Sequence, residues 1–140
     1  MNNDKLIKTF ITMIGTSFTW LMGAWDTALI VLVTFICLDY ATGLLKGYVK
    51  KELSSYVGAK GIAKKAVIFI VLIAAVALDR LLGNGNWLFR TMVCYFYVAN
   101  EGLSLLENCT QLGLPTPPAL KQALVQLKEG NRKEIKEREE

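Results

Sequence analysis

Residues 66–82 read AVIFIVLIAAVALDRLL, in which thirteen apolar side chains follow one another before Asp79. A run of this kind is close to the roughly 17–25 residues that carry a helix across a bilayer. A helix of a soluble bundle would show a polar stripe at a period of about 3.6 residues, and this stretch has none. The fold class that follows is an all-α integral membrane protein.

A second apolar stretch, residues 27–45, encloses the carboxylate of Asp39. A charged side chain near the centre of a spanning helix costs roughly 2.5–3.5 kcal/mol on insertion scales. Asp39 and Asp79 are therefore expected to face other helices or water. Such groups suit a protein whose polar surface meets further copies of itself or encloses a pore.

The 140 residues allow about one domain, and 53% of them are hydrophobic. The chain has no histidine, which removes the commonest general base and metal ligand at neutral pH. Cys37, Cys94 and Cys109 show no CxxC or Cys/His spacing, so they read as small hydrophobes rather than ligands. No glycine-rich phosphate loop or nucleophile elbow is present. The expectation is no enzyme, no cofactor and no metal. The net charge of +4 comes from lysines beside apolar segments, where orientation and anionic lipid explain them better than nucleic acid does.

Four hydrophobic segments are expected, at about 6–22, 27–48, 66–82 and 87–112, in a transmembrane region covering residues 1–114. The first carries Thr9, Thr12, Thr16 and Thr19 at alternating spacings of three and four, a polar seam on one helix face. This layout fits a helix lying in the interface as well as one facing water or partners across the membrane. Lys5 and Lys8 before it resemble a signal peptide, but no small-x-small cleavage site follows, so the segment is expected to be retained. In the second segment, Gly43 and Gly47 stand in the GxxxG spacing that permits close helix contact. Gly83-Asn84-Gly85-Asn86 is a strong turn signal between segments three and four. In the fourth, Asn100, Ser104, Glu107 and Gln111 share a helical face that Glu101 and Asn108 widen. That face suits a helix leaving the membrane, or a stripe against another helix or a water-filled lumen.

Lys46, Lys50, Lys51, Lys60, Lys64 and Lys65 crowd the connection between segments two and three, opposed by Glu52. Positive charge marks the cytoplasmic side, so this connection and the C-terminus are expected inside and the glycine–asparagine turn outside. Trp20, Trp25 and Trp87 then fall at the outer interface, which favours amphipathic rings. With the first segment spanning there are four spans; with it on the surface, three. Residues 115–140 are expected to hold a short amphipathic helix (Leu120, Ala123, Leu124, Leu127) and a solvated charged tail.

The most specific block is Asn100-Glu101-Gly-Leu-Ser104-Leu-Leu-Glu107-Asn108, followed by Gly113-Leu-Pro115-Thr-Pro117-Pro118-Ala-Leu120. With Asp39-Tyr-Ala-Thr-Gly43, the linker Ser54–Lys65 and Asp79 at the end of segment three, this order resembles the phage lysis and toxin-secretion holins. The resemblance runs over most of the chain after residue 25. It implies a protein of the host bacterial cytoplasmic membrane that assembles with itself and opens a timed lesion. An endolysin then leaves the cytoplasm, cuts peptidoglycan and lyses the cell, or in related systems a toxin is released. The implied partners are further copies of the chain, membrane lipids, an endolysin that need not touch it, and an antiholin; nucleic acid is not among them. Other readings are an antiholin or a non-opening scaffold, and a small secondary transporter.

Overall fold

A computed structural model describes residues 2–83 and 85–139, with side chains as far as Gly130. The described residues form five helices: α1 (Asn3–Met22), α2 (Thr27–Val49), α3 (Ser55–Leu82), α4 (Leu88–Gln111) and α5 (Pro118–Glu139). Local chemistry sets several of these ends. The Asp26 carboxylate accepts from the Leu29 amide at 3.0 Å and starts α2, and the Ser54 hydroxyl accepts from Val57 at 3.2 Å and starts α3. Both are N-caps satisfying amides that have no partner inside the helix. Gly23 ends α1 at φ +86 and Gly83 ends α3 at φ +61, a region that costs glycine little.

Two boundaries differ from the sequence reading. The lysine-rich connection is a linker only from Lys50 to Ser54; from Ser55 onward it is the first part of α3. Gly58 and Gly61 do not prevent this, since a glycine inside a helix costs only about 1 kcal/mol and the Ser54 cap helps offset it. The last helix is not short: α5 runs through the charged stretch to Glu139. Glu, Lys and Arg are good helix formers, so a stretch unable to build a core still continues a helix already docked.

The core is a seam between α2, α3 and α4. Leu29, Leu32 and Ile36 from α2 meet Ile68 and Leu72 from α3 and Cys94 and Val98 from α4, with Met22 at one end. Each stripe continues into buried polar groups. On α2 the spacing 29, 32, 36 leads to Asp39; on α3 the spacing 68, 72, 75 leads to Asp79; on α4 the stripe runs from Arg90 to Glu101. The apolar seam thus lies between two layers of charge, labelled inner for the one toward the α2–α3 connection (Asp39, Glu101) and outer for the one toward the α3–α4 turn (Asp79, Arg90).

Among the described residues, two helices, α2 and α3, are long and apolar enough to cross a membrane. Helices α1 and α4, expected from sequence as further spans, do not reach that standard, because α1 alternates threonine and lysine with its apolar residues and α4 turns polar after Ala99. Helix α1 stands off the bundle. Met22 is its one buried residue, while Phe10, Ile11, Met13 and Trp20 are each more than 60% exposed.

Candidate functional site

The inner charged layer is built by three helices around one lysine. Lys65 of α3 donates to Asp39 Oδ2 on α2 at 2.5 Å and to Glu101 Oε2 on α4. Asn108 extends the network: its Nδ2 donates to Asp39 Oδ1 at 3.0 Å and to the Thr42 hydroxyl at 3.2 Å. Its Oδ1 accepts from Lys46 Nζ at 2.8 Å. Asp39, Glu101 and Asn108 are all buried. Two carboxylates, two ammonium groups and one amide therefore bind the inner halves of α2, α3 and α4 together. Nearby, Lys50 donates to Gln111 at 3.2 Å on the surface.

The outer layer works on backbone. Arg90, 2% exposed, donates to the carbonyls of Met22 at 2.6 Å and Ala24 at 2.8 Å, and to both oxygens of Asp26. The guanidinium holds the Asp26 carboxyl below its usual value, because its hydrogen bonds favour the charged form. Asp79 accepts from the amides of Phe89 at 3.0 Å and Arg90 at 2.8 Å, supplying α4 with a cap from another helix. Arg80 donates to the Trp20 carbonyl and lies 4.0 Å over the Trp20 ring, a cation–π contact. Asp79 is thus spent on backbone N–H groups, and the neighbouring Arg80 and Arg90 side chains have other partners.

The remaining candidates are dispersed. Thr12 and Thr19 return their hydroxyls to carbonyls four residues back on α1. Thr12, Thr16 and Thr19 line an open groove with Gly15, Trp20, Gly23 and Arg80, while Thr9 is exposed. Gly43 lies beneath the Asn108 amide, and Gly47 lies against Leu53 of the α2–α3 connection. Within one chain their spacing therefore serves the polar network and a turn rather than a second helix backbone. The α4 face divides: Glu101 and Asn108 turn into the bundle, Ser104 lines a cleft, Glu107 is exposed, and Asn100 accepts from Lys128 of α5 at 3.3 Å.

Among the lysines, Lys51, Lys60 and Lys64 are exposed, whereas Lys65 belongs to the interior network. The sequence reading did not bring Arg90 to Asp26, nor did it dock the C-terminal helix on α4. Leu124 of α5 sits on Gly102, where an added Cβ would come within 2.9 Å of both Leu124 and Phe35. Gly102 is thus a saddle that lets α5 lie flush against α4.

Residues 16–129 match the profile of the bacteriophage holin family. The chain is 59% identical over 126 residues to an uncharacterised 14.9 kDa protein in the nagH 3′ region of Clostridium perfringens, covering 90% of this chain and 96% of that one. An uncharacterised Listeria monocytogenes protein is 41% identical over 122 residues, 87% of this chain and 86% of its own length. A probable holin of Bacillus phage phi105 is 39% identical over 84 residues, 59% of this chain and 61% of the phage protein. No solved structure matches. The family profile covers α2, α3, α4 and all of the inner charged layer, and on that match the chain belongs to the bacteriophage holin family.

Proposed function

We propose that this chain is a holin of the bacterial cytoplasmic membrane, which assembles with copies of itself and opens a timed lesion for an endolysin or a toxin. The observation that carries the reading is α1. It is a 20-residue helix with an apolar side and a threonine side, and both are uncovered in the single chain. In a membrane the apolar side faces lipid. The threonine side, whose Thr12 and Thr19 hydroxyls bond within their own helix, is the more polar one and suits another polar helix surface or water, as at an assembly contact or a pore wall.

The proposed topology has α1 to α4 crossing the membrane, with the lysine-rich side, α5 and the C-terminus in the cytoplasm. Residues 1–114 then form the membrane region and 115–140 the cytoplasmic one. The inner layer keeps each copy closed while its groups satisfy one another. Water or a neighbouring copy can replace those partners once copies accumulate. Asp39, Glu101, Ser104 and Asn108, with the threonine seam, are the groups that would line or border the opening, and Gly43 and Gly47 keep α2 slim beside them.

Induced expression in a bacterium carrying a small cytoplasmic dye and a folded reporter protein tests this. Abrupt release of both after a silent delay is expected. Loss of the dye alone would reduce the lesion to a narrow pore that needs an otherwise exported endolysin. Retention of both would replace the reading with an antiholin or scaffold, and proton-coupled export of small cations with a transporter.

A further inference from the structure

A cleft of about 540 Å³ opens between the inner half of α2, the first turns of α3 and the polar half of α4. Its floor is the inner charged layer, whose acceptors are largely taken: Asp39 by Lys65 and Asn108, Glu101 by Lys65, and Asn108 by Lys46. The groups left at its rim are hydrogen-bond donors. Among the described residues, the Tyr40 hydroxyl, the Ser104 hydroxyl and the Lys64 ammonium line the cleft without a hydrogen bond or ion pair to the chain. Lys46 has further N–H groups to offer. Two glycines shape the opening, since a Cβ on Gly58 would stand 3.6 Å from the Tyr40 hydroxyl and one on Gly61 3.2 Å from its ring. The walls are apolar, from Leu44, Leu53, Val57, Val67 and Ile68.

A donor-rich rim over apolar walls matches a ligand with an anionic head and a hydrocarbon tail. Lys64 also stands at the end of the apolar run 66–78, the depth at which lipid headgroups begin when α3 spans. We infer that this cleft binds one anionic phospholipid of the inner leaflet. Its phosphate lies between Lys64, Lys46 and the Tyr40 hydroxyl, and an acyl chain runs from there along Val67 and Ile68. The inference rests on the membrane placement proposed above, but not on pore opening. Bound lipid would tie α2 to the N-terminal turns of α3 by contacts that the chain does not make itself.

The test is native mass spectrometry of the full chain released from detergent micelles containing phosphatidylglycerol or phosphatidylcholine of the same chains. One retained phosphatidylglycerol per chain is expected, in clear preference to phosphatidylcholine. A lysine beside an anionic surface is worth about fivefold in affinity, so Lys64→Gln should lower retention by about that factor. Lys121→Gln, the same charge change at a separate groove on α5, should leave retention unchanged, and Gly58→Leu should block the cleft with the lysines intact. Equal loss in Lys64→Gln and Lys121→Gln, equal retention of the two lipids, or displacement by glycerol phosphate alone would overturn the assignment. Circular dichroism confirms that each variant keeps its helices. Lipid retention without reporter release would break the holin reading and leave this one standing, and the reverse result would do the opposite.

Discussion

The two charged layers at the ends of the apolar seam use similar residues for different purposes. At the outer end, Arg90 and Asp79 spend most of their hydrogen bonds on backbone, closing the α1–α2 connection and the start of α4. At the inner end, Lys65, Asp39, Glu101 and Asn108 bond mainly to one another's side chains. Backbone groups cannot turn away from a lost partner, whereas side chains can exchange theirs for water or for another copy. The outer layer is therefore a fixed clasp and the inner layer an exchangeable one. Separating the helices costs least at the inner end.

The largest effect is expected from Lys65→Met, which leaves two buried carboxylates facing each other. Removing one partner of a buried ion group costs about 3–5 kcal/mol, read as a lowered thermal midpoint in detergent. The triple variant Asp39→Asn, Lys65→Met, Glu101→Gln should recover most of that loss, since nothing charged remains unpaired. No recovery would mean that the layer is not exchangeable and would remove the contrast.

Next comes Arg90→Ala, which strips donors from two carbonyls near the start of α2. Each buried acceptor left without a partner costs about 1–3 kcal/mol, and adding Asp26→Asn should recover little, because the carbonyls stay unmet. Equal recovery at the two ends would show that the layers behave alike.

The smallest effect concerns acid. Arg90 holds the Asp26 carboxyl below its usual value, so the folded state binds that proton less readily than the unfolded chain. The stabilisation from Asp26 is full above the ordinary carboxylate range and is lost as pH falls through the lowered value. The Asp26 side chain is 45% exposed, which limits the size of the effect through solvent screening. Asp26→Asn should flatten the acid limb of an unfolding curve, and an unchanged limb would assign it to other carboxylates.

Much of the framework is legible in the residues. The unbroken apolar run before Asp79 marks α3, and the glycine–asparagine turn marks its end. The carboxylates expected to avoid lipid do lie inside the bundle. Lys65 escapes a reading by clusters because successive residues on a helix point about 100° apart. Of the neighbours Lys64 and Lys65, only Lys65 continues the stripe through Ile68 and Leu72. Seeing this requires knowing that α3 begins before Ala66, and the charge and glycine content of residues 55–65 hide it. The Arg90–Asp26 pair joins residues 64 positions apart, and no local pattern announces such a contact. The threonine seam is plain in the sequence, yet Thr12 and Thr19 satisfy their hydroxyls within their own helix.

The saddle at Gly102 bears on the order in which the chain is made. The 22 residues from Leu103 through Leu124 take roughly 1–4 s to synthesise at about 5–20 residues per second. For that interval the saddle at Gly102 has no cover. A tethered segment reaches the saddle at an effective concentration in the millimolar range, typical of short linkers, so α5 closes on α4 of its own chain in preference to any separate segment.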